Sequence, residues 1–420
     1  MAFRCRRTLY VTLASSLAFI TLAAVATAAS RPNELDRAVD AIANKALLTQ
    51  PAIALVDSAR QHAANRLVGL ELPGWIVMVL LEALALAYFW SSGNAAALRD
   101  RLRRRFRSEN IVRFIFGAVL GLIARAAALL PAFYLYRVER VMQLSDEQAR
   151  LWATLWIGHT LLAVIIAGLL AAMVLWLVDR THQWYVFTIL VILAASLGWS
   201  FAAPYFELPG SAVQLSGNTE LGARMRAQLM RAGLSGMPIF LSGARNAPTG
   251  QAVVTGLGTS RRLIVSNSLI AASTQSEVLF LAADAIGETA LGNPTFVGLI
   301  EGGIVIVFSA LAVVIADRIG FRRDDDPLSR LALVGSLLAI VYLVAVPVRN
   351  ASLRSYDLDA DRYAVGLTGD RAAAVRALVR QADQRIEEVC PEMLVSFFLY
   401  AHPSVAARVE AINRVPSGCP

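Results

Sequence analysis

Long apolar runs dominate the pattern of hydrophobic and polar positions along this chain. Six of these runs are long enough for a helix to cross a hydrocarbon core of roughly 30 Å. Polar or charged stretches separate them, so that each run forms its own element. We therefore predict six membrane-spanning helices, at about 73–92, 114–135, 155–178, 185–203, 296–316 and 331–348.

The first apolar run of the chain, residues 8–28, lies in a different context. Three arginines precede it, and it ends in the small residues Ala-Thr-Ala. A charged start, an apolar centre and a small-residue end are typical of a signal peptide. We predict that residues 1–28 are a signal peptide or, if they are retained, a first membrane anchor. Residues 29–72 would then form an extramembrane linker before the membrane helices of 73–203.

Two stretches, 204–295 and 349–420, have the mixed polarity of globular protein. The first contains short runs of β-forming residues between glycine, asparagine and serine, followed by a helical pattern, and the second is helical. Membrane helices in 296–348 separate the two stretches in sequence. We predict a mainly α fold, a polytopic helical membrane bundle that carries one α+β domain assembled from these two chain segments.

Composition agrees with a membrane protein, because 57% of the residues are hydrophobic and the mean hydropathy is +0.56. The net charge of +8 comes from arginines that cluster at span ends, so it indicates membrane orientation and no nucleic-acid partner. The arginines of 99–107 favour the cytoplasm. Both globular stretches would therefore face the external side of a bacterial-type inner membrane, where Cys390 and Cys419 would form a disulfide. Two unpaired buried thiols are the alternative.

Charged side chains within apolar segments are the first candidates for function. Asp284 and Glu288 lie four residues apart in the apolar stretch FLAADAIGETALGN, on one face of a predicted helix. Glu82 and Arg125 lie near the middle of two predicted spans, where a charge is costly unless it faces a partner or water. These two residues either pair with each other or line a hydrated chamber inside the bundle.

Four sequence stretches and a pair of spans carry a resemblance to a known family. The order of QAVVTGLG, SEVLFLAADAIGE, a pair of spans, DLDADRYAVGLTG and HPSVAARVEAI resembles the integral-membrane zinc metallopeptidases of the CAAX prenyl protease and HtpX type. The resemblance implies a zincin-like domain of the gluzincin type, a zinc cofactor, and proteolysis of membrane or lipidated polypeptides within a lipid bilayer.

The family's helix carries the motif H-E-x-x-H, in which two histidines bind zinc and the glutamate activates water. In this chain Asp284 and Glu288 stand at the histidine positions, and Ala285 stands at the position of the general base. The resemblance implies Asp357 as the third ligand. The metal motif is therefore degenerate, and its general base is replaced by a methyl group that cannot accept a proton.

The resemblance also assigns supporting roles. Asp361 matches an acid behind the ligands, and Arg408 follows in the last motif. His402 matches a histidine near the substrate carbonyl, although it alternatively only starts the last helix. Where the family's substrate-binding edge strand usually reads Asn-Ala-Tyr, this chain has Gln251, Ala252 and Val253.

The four histidines of the chain are not spaced to supply a replacement zinc pair. Three carboxylates suit a hard divalent cation better than zinc, so zinc is expected to be absent or weak. In the alternative that we favour, no metal binds and the carboxylates pair with nearby arginines, the candidates being Arg354, Arg362 and Arg408.

Two functions follow from these residues. In the first, the protein is a non-catalytic homologue that binds membrane or lipidated polypeptides in the retained groove. In the second, it is an active metalloendopeptidase with an unusual carboxylate metal site. The loss of a general base typically costs about 10²–10⁴ in rate, and this cost favours the first function.

Overall fold

The computed structural model describes residues 38–145, 147–207, 212–242, 250–320 and 326–419. The predicted signal peptide or anchor, residues 1–28, lies outside the described residues. In chain order the helices are α1 (Asn44–Thr49), α2 (Ser58–Ser91), α3 (Asn94–Arg105), α4 (Glu109–Val141), α5 (Ala149–Arg180), α6 (Trp184–Glu207), α7 (Glu220–Arg231), α8 (Asn267–Ala272), α9 (Gln275–Ala290), α10 (Asn293–Gly320), α11 (Pro327–Thr368), α12 (Arg371–Arg385), α13 (Met393–Phe398) and α14 (Val405–Asn413). The strands are β1 (Val213–Gln214), β2 (Ile239–Ser242), β3 (Ala252–Thr255) and β4 (Arg262–Ser266).

Within these ranges, six helices are long and apolar enough to cross a membrane, namely α2, α4, α5, α6, α10 and α11. The six predicted spans are thereby confirmed. Most side chains in their apolar windows face outward, as expected of helices whose solvent is lipid. The protein is a mainly helical membrane bundle.

Small residues hold two of the membrane helices close together. A Cβ atom on Gly117 of α4 would lie 2.6 Å from the carbonyl oxygen of Ala167 in α5. A Cβ atom on Gly168 of α5 would lie 2.8 Å from the carbonyl oxygen of Phe114 in α4. Glycines at such crossings let helix backbones approach closely in a membrane. The α4–α5 pair therefore depends on reciprocal glycines.

The four strands form one sheet in the order β1-β2-β4-β3. Strands β1 and β2 are antiparallel, β2 and β4 are parallel, and β3 and β4 are antiparallel, with Val253 opposite Ile264. Strand β3 is therefore an edge strand whose outer side is unpaired within the described sheet. Helix α9 packs against this sheet through buried residues such as Phe280 and Ile286.

The two globular stretches form one core, which confirms a domain assembled from two chain segments. Phe280 and Ile286 from the first stretch share a buried cluster with Leu378 and Val409 from the second. Between the two stretches, the Arg380 Nε donates to Glu277 Oε2 at 2.8 Å, and both side chains are buried. This ion pair fixes α12 against the first turn of α9.

The segment predicted as a linker packs into this domain instead. Val39 and Leu47 are buried in the domain core. The Asn413 Nδ2 donates to the carbonyl oxygens of Leu47 and Gln50, at 3.2 and 3.1 Å. Helix α2 then begins at Ser58, well before the predicted span. The sequence did not indicate this packing, because helix α1 is too short for its apolar residues to recur with a helical period.

The predicted disulfide between Cys390 and Cys419 is present, with a Cα–Cα distance of 5.5 Å. It joins the segment after α12 to the segment after α14. The alternative of two unpaired thiols is excluded.

Candidate functional site

Helix α9 brings the candidate motif to the centre of the domain. Thr274 and Glu277 form a capping box that starts the helix, which leaves its middle turns free to carry the motif. A Cβ atom on Gly287 would lie 2.9 Å from the ring of Tyr363 in α11. This close approach of α9 and α11 sets Asp284 opposite the acidic segment of α11.

Arg408 of α14 connects the two helices. Its Nε and Nη2 atoms donate to the two carboxylate oxygens of Asp361, both at 2.7 Å, and Nη2 also reaches Asp284 Oδ2 at 3.1 Å. Asp361 is fully buried. Burial would lower the pKa of Arg408, but the negative charges of Asp361 and Asp284 raise it well above its usual value. The guanidinium therefore stays charged.

The other two candidate arginines do not reach the site. Arg354 donates to the carbonyl oxygen of Ser396, and Arg362 pairs with Asp359 at 2.8 Å. Of the three arginines considered from the sequence, Arg408 alone pairs with a site carboxylate. Its position behind Asp284 and Asp361 agrees with the supporting role that the resemblance implies.

Asp284 and Glu288 share the face of α9 that meets α11 and α14. Burial raises the pKa of Asp284 to about 8, although the charge of Arg408 opposes this shift. Burial, and then the negative charge of Asp357, raise the pKa of Glu288 to about 7. The Asp284 Oδ1 atom is buried and has no hydrogen-bond partner among the described residues. Burial thus favours the protonated form of both carboxyl groups, and the charge of Arg408 opposes this effect.

Asp357 meets His402 across the mouth of the site. The His402 Nδ1 lies 2.7 Å from Asp357 Oδ2, and the imidazole is 67% exposed. The hydrogen bond to Asp357 raises the pKa of His402. His402 does not start the last helix, because Ser404 caps α14 by accepting a hydrogen bond from the Ala407 N–H. The imidazole is thus free to meet a ligand.

A cavity of about 370 Å³ opens in front of these side chains. Ala252 and Val253 of edge strand β3 form one wall together with Gln251, which directly precedes the strand, and Val253 is 39% exposed. Ala285 is buried in α9, behind the cavity wall. Most of the residues that the sequence singled out in the globular domain therefore lie around one space, whereas Ala285 and Asp361 do not line it.

Sequence reasoning missed the wall formed by α12. Leu378, Gln381 and Arg385 of α12 line the cavity, together with Glu387 just after the helix. Burial lowers the pKa of Arg385 and raises that of Glu387. These residues belong to no short motif, and the only signal for them is a pair of opposite charges at the end of an amphipathic helix.

The donor atoms at the family's ligand positions do not fit zinc. Zinc sites in proteins are built from imidazole, thiolate and a few carboxylates, whereas Asp284, Glu288 and Asp357 offer carboxylates alone. One oxygen of Asp284 is engaged by Arg408, and one oxygen of Asp357 by His402. Across the described ranges, no three His, Cys, Asp or Glu side chains are grouped so that they could hold a metal ion.

The two intramembrane charges lie apart from this cavity. The Arg125 guanidinium stands over the Trp156 ring, 3.7 Å from its centre, and its Nε atom is buried without a hydrogen-bond partner among the described residues. Arg125 thus packs on an indole. No hydrogen bond or ion pair between Arg125 and Glu82 is found in the described part of the chain, although the two charges lie close enough to interact. The pairing of these two residues and the hydrated chamber both stay predictions.

Comparison with known proteins agrees with the arrangement of these elements. The sequence model of peptidase family M48 matches residues 216–415. "Uncharacterized metalloprotease YhfN" of Bacillus subtilis (strain 168) is 25% identical over 322 residues, which cover 73% of this chain and 74% of that protein. The crystal structure of S. mikatae Ste24p has the same fold, with a TM-score of 0.64 and 17% identity over 94% of this chain and 98% of that chain.

The M48 match contains the helix α9 motif, the acidic segment of α11 and the motif around Arg408, and the shared fold extends over the membrane helices as well. Residues 216–415 therefore match peptidase family M48, and the chain as a whole has the fold of Ste24p, so that both comparisons agree with the resemblance to integral-membrane metallopeptidases of the CAAX prenyl protease and HtpX type.

Proposed function

We propose that this protein is a non-catalytic member of its family that binds membrane or lipidated polypeptides. One observation carries the proposal: at the centre of the site a guanidinium, that of Arg408, engages Asp284 and Asp361, and the position of the general base is the methyl group of Ala285. A buried arginine neutralises carboxylates that would otherwise need another cation.

Loss of the base removes the step that hydrolysis requires. A general base must lie within hydrogen-bond reach of the attacking water, and alanine has no atom that accepts a proton. The three carboxylates have no imidazole among them, so zinc would lose its preferred ligands at the same positions. Both changes act against catalysis.

The groove itself supports polypeptide binding. Strand β3 is an unpaired edge within the described sheet, and an extended peptide can add to such an edge through main-chain hydrogen bonds. The cavity beside β3 has apolar walls at Leu281 and Leu378 and polar groups at Gln251 and His402. Because the domain joins membrane helices directly, a lipid-anchored or membrane-inserted segment is a ligand that reaches this edge.

Metal content and peptide cleavage test the catalytic half of the proposal. We expect the purified protein, prepared without chelators, to contain no stoichiometric zinc and to cleave neither casein nor a prenylated peptide above background. The triple change Asp284→His, Ala285→Glu and Glu288→His restores the family motif and is expected to gain zinc. Zinc near one equivalent in the unmodified protein, with cleavage that a chelator abolishes, would overturn the proposal.

Binding of a farnesylated peptide tests the other half. We expect the peptide to bind the protein in detergent or nanodiscs, and Val253→Glu to weaken binding because the new charge lies on the edge strand beside the cavity. Val213→Glu is a matched control, since Val213 is exposed on β1, the opposite edge of the same sheet. Equal losses in the two variants, or no binding to the unmodified protein, would contradict a groove at β3.

A second function, an active metalloendopeptidase with a carboxylate site, is favoured by one observation. Asp284, Glu288 and Asp357 line the same cavity, so that three carboxylates face one space. In that case a hard divalent cation such as Mg²⁺, Mn²⁺ or Ca²⁺ would be the cofactor, because the ligands are all oxygen. Cleavage that depends on one of these ions and is lost in Glu288→Gln would establish it.

We further infer that the metallopeptidase-like domain faces the external side of a bacterial-type inner membrane. The disulfide between Cys390 and Cys419 supports this side, because disulfides persist in oxidising compartments. The arginines of α3 support it as well, since arginine-rich short loops favour the cytoplasm. The resemblance implies the opposite side, because the metallopeptidase domain of family members usually faces the cytoplasm. The orientation proposed for this chain is therefore to be tested.

A further inference from the structure

Helix α3 has two faces of opposite character. Ala95 and Leu102 are buried against the membrane bundle, in a cluster that includes Phe116 of α4. Arginines occupy most of the other positions in its second half. The helix is therefore held against the bundle by its apolar face and presents its basic face outward.

Two of these arginines have structural partners. Arg99 pairs with Asp100, and Arg103 pairs with Glu109 at 2.7 Å and with Asp326 at the start of α11. The Arg99–Asp100 pair lies within α3, whereas the pairs of Arg103, together with the 3.7 Å approach of Arg99 to Asp326, join α3 to the neighbouring helices α4 and α11. They account for the position of the helix and leave the remaining basic residues to be explained.

Four arginines, which we call the free arginine face, have no such role. Their side chains are exposed, and no hydrogen bond or ion pair to them is found in the described part of the chain: Arg101, Arg104, Arg105 and Arg107. Their only local contacts among the described residues are weak, namely Arg105 over the Phe106 ring at 6.0 Å and Arg104 near the charge of Asp100. Arg101 lies three and four positions before Arg104 and Arg105, so these three side chains share one side of α3. Four like charges this close repel one another unless an anion lies between them.

The free arginine face lies at the level of the membrane surface. Helix α3 follows α2, which ends at Ser91, and precedes α4, which begins at Glu109, and both neighbours are long and apolar enough to span the membrane. Trp90 and Phe106 stand at the two ends of α3, and aromatic residues are typical of the interface between hydrocarbon and headgroups. The arginines therefore project into the headgroup layer.

We propose that the free arginine face is a binding site for anionic phospholipid headgroups. Guanidinium groups form paired hydrogen bonds to phosphate oxygens, and a basic cluster next to a membrane span attracts anionic lipids. This function is separate from that of the peptide groove, because α3 contributes no residue to the cavity. Bound lipid would screen the repulsion between the arginines and hold α3 at the bilayer surface.

Lipid titration of the detergent-purified protein, followed by native mass spectrometry, tests the proposal. Phosphatidylglycerol is compared with phosphatidylcholine of the same acyl chains. The double change Arg101→Gln and Arg104→Gln is expected to weaken phosphatidylglycerol binding by about 10- to 30-fold and to leave phosphatidylcholine binding unchanged. Higher salt is expected to reduce the difference between the two lipids, because ions screen exposed charges.

The double change Arg224→Gln and Arg231→Gln is the matched control. It removes the same charge from exposed positions of α7, in the globular domain, and is expected to leave phosphatidylglycerol binding unchanged. Equal losses in the two double variants would overturn the proposal, as would equal binding of both lipids by the unmodified protein. Inorganic phosphate that competes as well as the lipid, or an oligonucleotide that binds more tightly, would also overturn it.

Discussion

Arg408 compensates the negative charge of Asp361, because Asp361 has no contact with solvent and Arg408 donates a hydrogen bond to each of its two carboxylate oxygens. Removal of one partner of a buried ion pair typically costs about 3–5 kcal/mol, since the other charge stays buried and unpaired. We expect Arg408→Gln to lower the free energy of unfolding by that amount, measured as loss of thermal and urea resistance in detergent.

A surface pair is the control for this substitution. Arg224→Gln breaks the exposed pair with Glu220 and is expected to cost about 0.3–0.5 kcal/mol. The double change Asp361→Asn and Arg408→Gln is expected to be more stable than Arg408→Gln alone, because it removes both charges. A single variant as stable as the control would contradict the role of Arg408.

The pKa of Glu288 makes stability depend on pH. Burial and the charge of Asp357 raise this pKa to about 7, while the charges of His402 and Arg408 lower it and that of Asp361 raises it further. A raised carboxyl pKa means that the folded protein binds the proton more tightly than the unfolded chain. The stabilising contribution is therefore present at low pH and is lost as the pH rises through about 7.

We accordingly expect Glu288→Gln to be more stable than the unmodified protein at about pH 8 and nearly equal to it at about pH 5, because glutamine stays neutral. Thermal unfolding across this range measures the difference. Glu220→Gln, at an exposed position of α7, is the control and should leave the pH profile unchanged. A Glu288→Gln profile parallel to that of the unmodified protein would show that Glu288 does not titrate in this range.

At the residue scale, the sequence indicated the site positions but not their partners. The spacing of Asp284 and Glu288 places them on one face of a helix, and this follows from helical geometry alone. Which of the three candidate arginines, Arg408, Arg354 or Arg362, pairs with the site carboxylates depends on how α14 packs against α11. That packing joins residues far apart in the chain, and local patterns carry no information about it.

At the element scale, the crossing of α4 and α5 depends on close backbone contact. An alanine Cβ at Gly117 would lie 2.5 Å from the Ala171 Cβ and 2.6 Å from the Ala167 oxygen. We expect Gly117→Ala to cost about 1–3 kcal/mol because the helices must separate. Thermal unfolding in detergent measures the loss.

Gly158 is the matched control on the same helix pair, since a Cβ there meets no atom within 4 Å. Gly158→Ala is expected to be neutral or slightly stabilising, because alanine favours the helix over glycine. If both alanine variants behaved alike, the reciprocal glycines would not determine the crossing.

The apolar runs predicted the membrane helices well because hydrocarbon thickness fixes a minimum length for each run. They did not predict where the helices end. Helix α2 begins at Ser58 and α11 continues to Thr368. A helix can continue through polar residues once it has left the membrane, so the end of an apolar run does not mark the end of the helix. The same helix α11 therefore spans the membrane and carries Asp357 and Asp361.

At the scale of the whole molecule, the side of the membrane that the domain faces can be measured. In a Cys5→Ser background, we expect Ser216→Cys, in the globular domain, to react with a membrane-impermeant thiol reagent added from outside. Ser92→Cys, next to the arginines of α3, is expected to react only after the cells are opened. The reason is that arginine-rich loops stay cytoplasmic.

Both positions are exposed, so that accessibility of the side chain does not limit the reaction. Reaction of Ser216→Cys from the cytoplasmic side only would reverse the orientation. It would also leave the disulfide between Cys390 and Cys419 in a compartment where disulfides are rare.

The assembly of one domain from two chain segments was predictable from the family motifs and from the polarity of the segments. The part played by residues 39–56 was not, because their contacts with α12 and α14 join positions more than 300 residues apart, as in the bonds from Asn413 to Leu47. Short helices packed by tertiary contacts carry weak intrinsic preferences.

This contact between the earliest described residues and the tail has a consequence for biosynthesis. Leu47 is packed in the same core as Val409, so that it stays without its full set of neighbours until the six membrane helices of the described ranges and α14 have left the ribosome. During that interval the nascent chain exposes apolar surface that a holding chaperone would recognise. On ribosomes stalled before α14 is synthesised, we therefore expect the domain to be cleaved by added protease. After the chain is released with α14 complete, we expect the domain to resist cleavage.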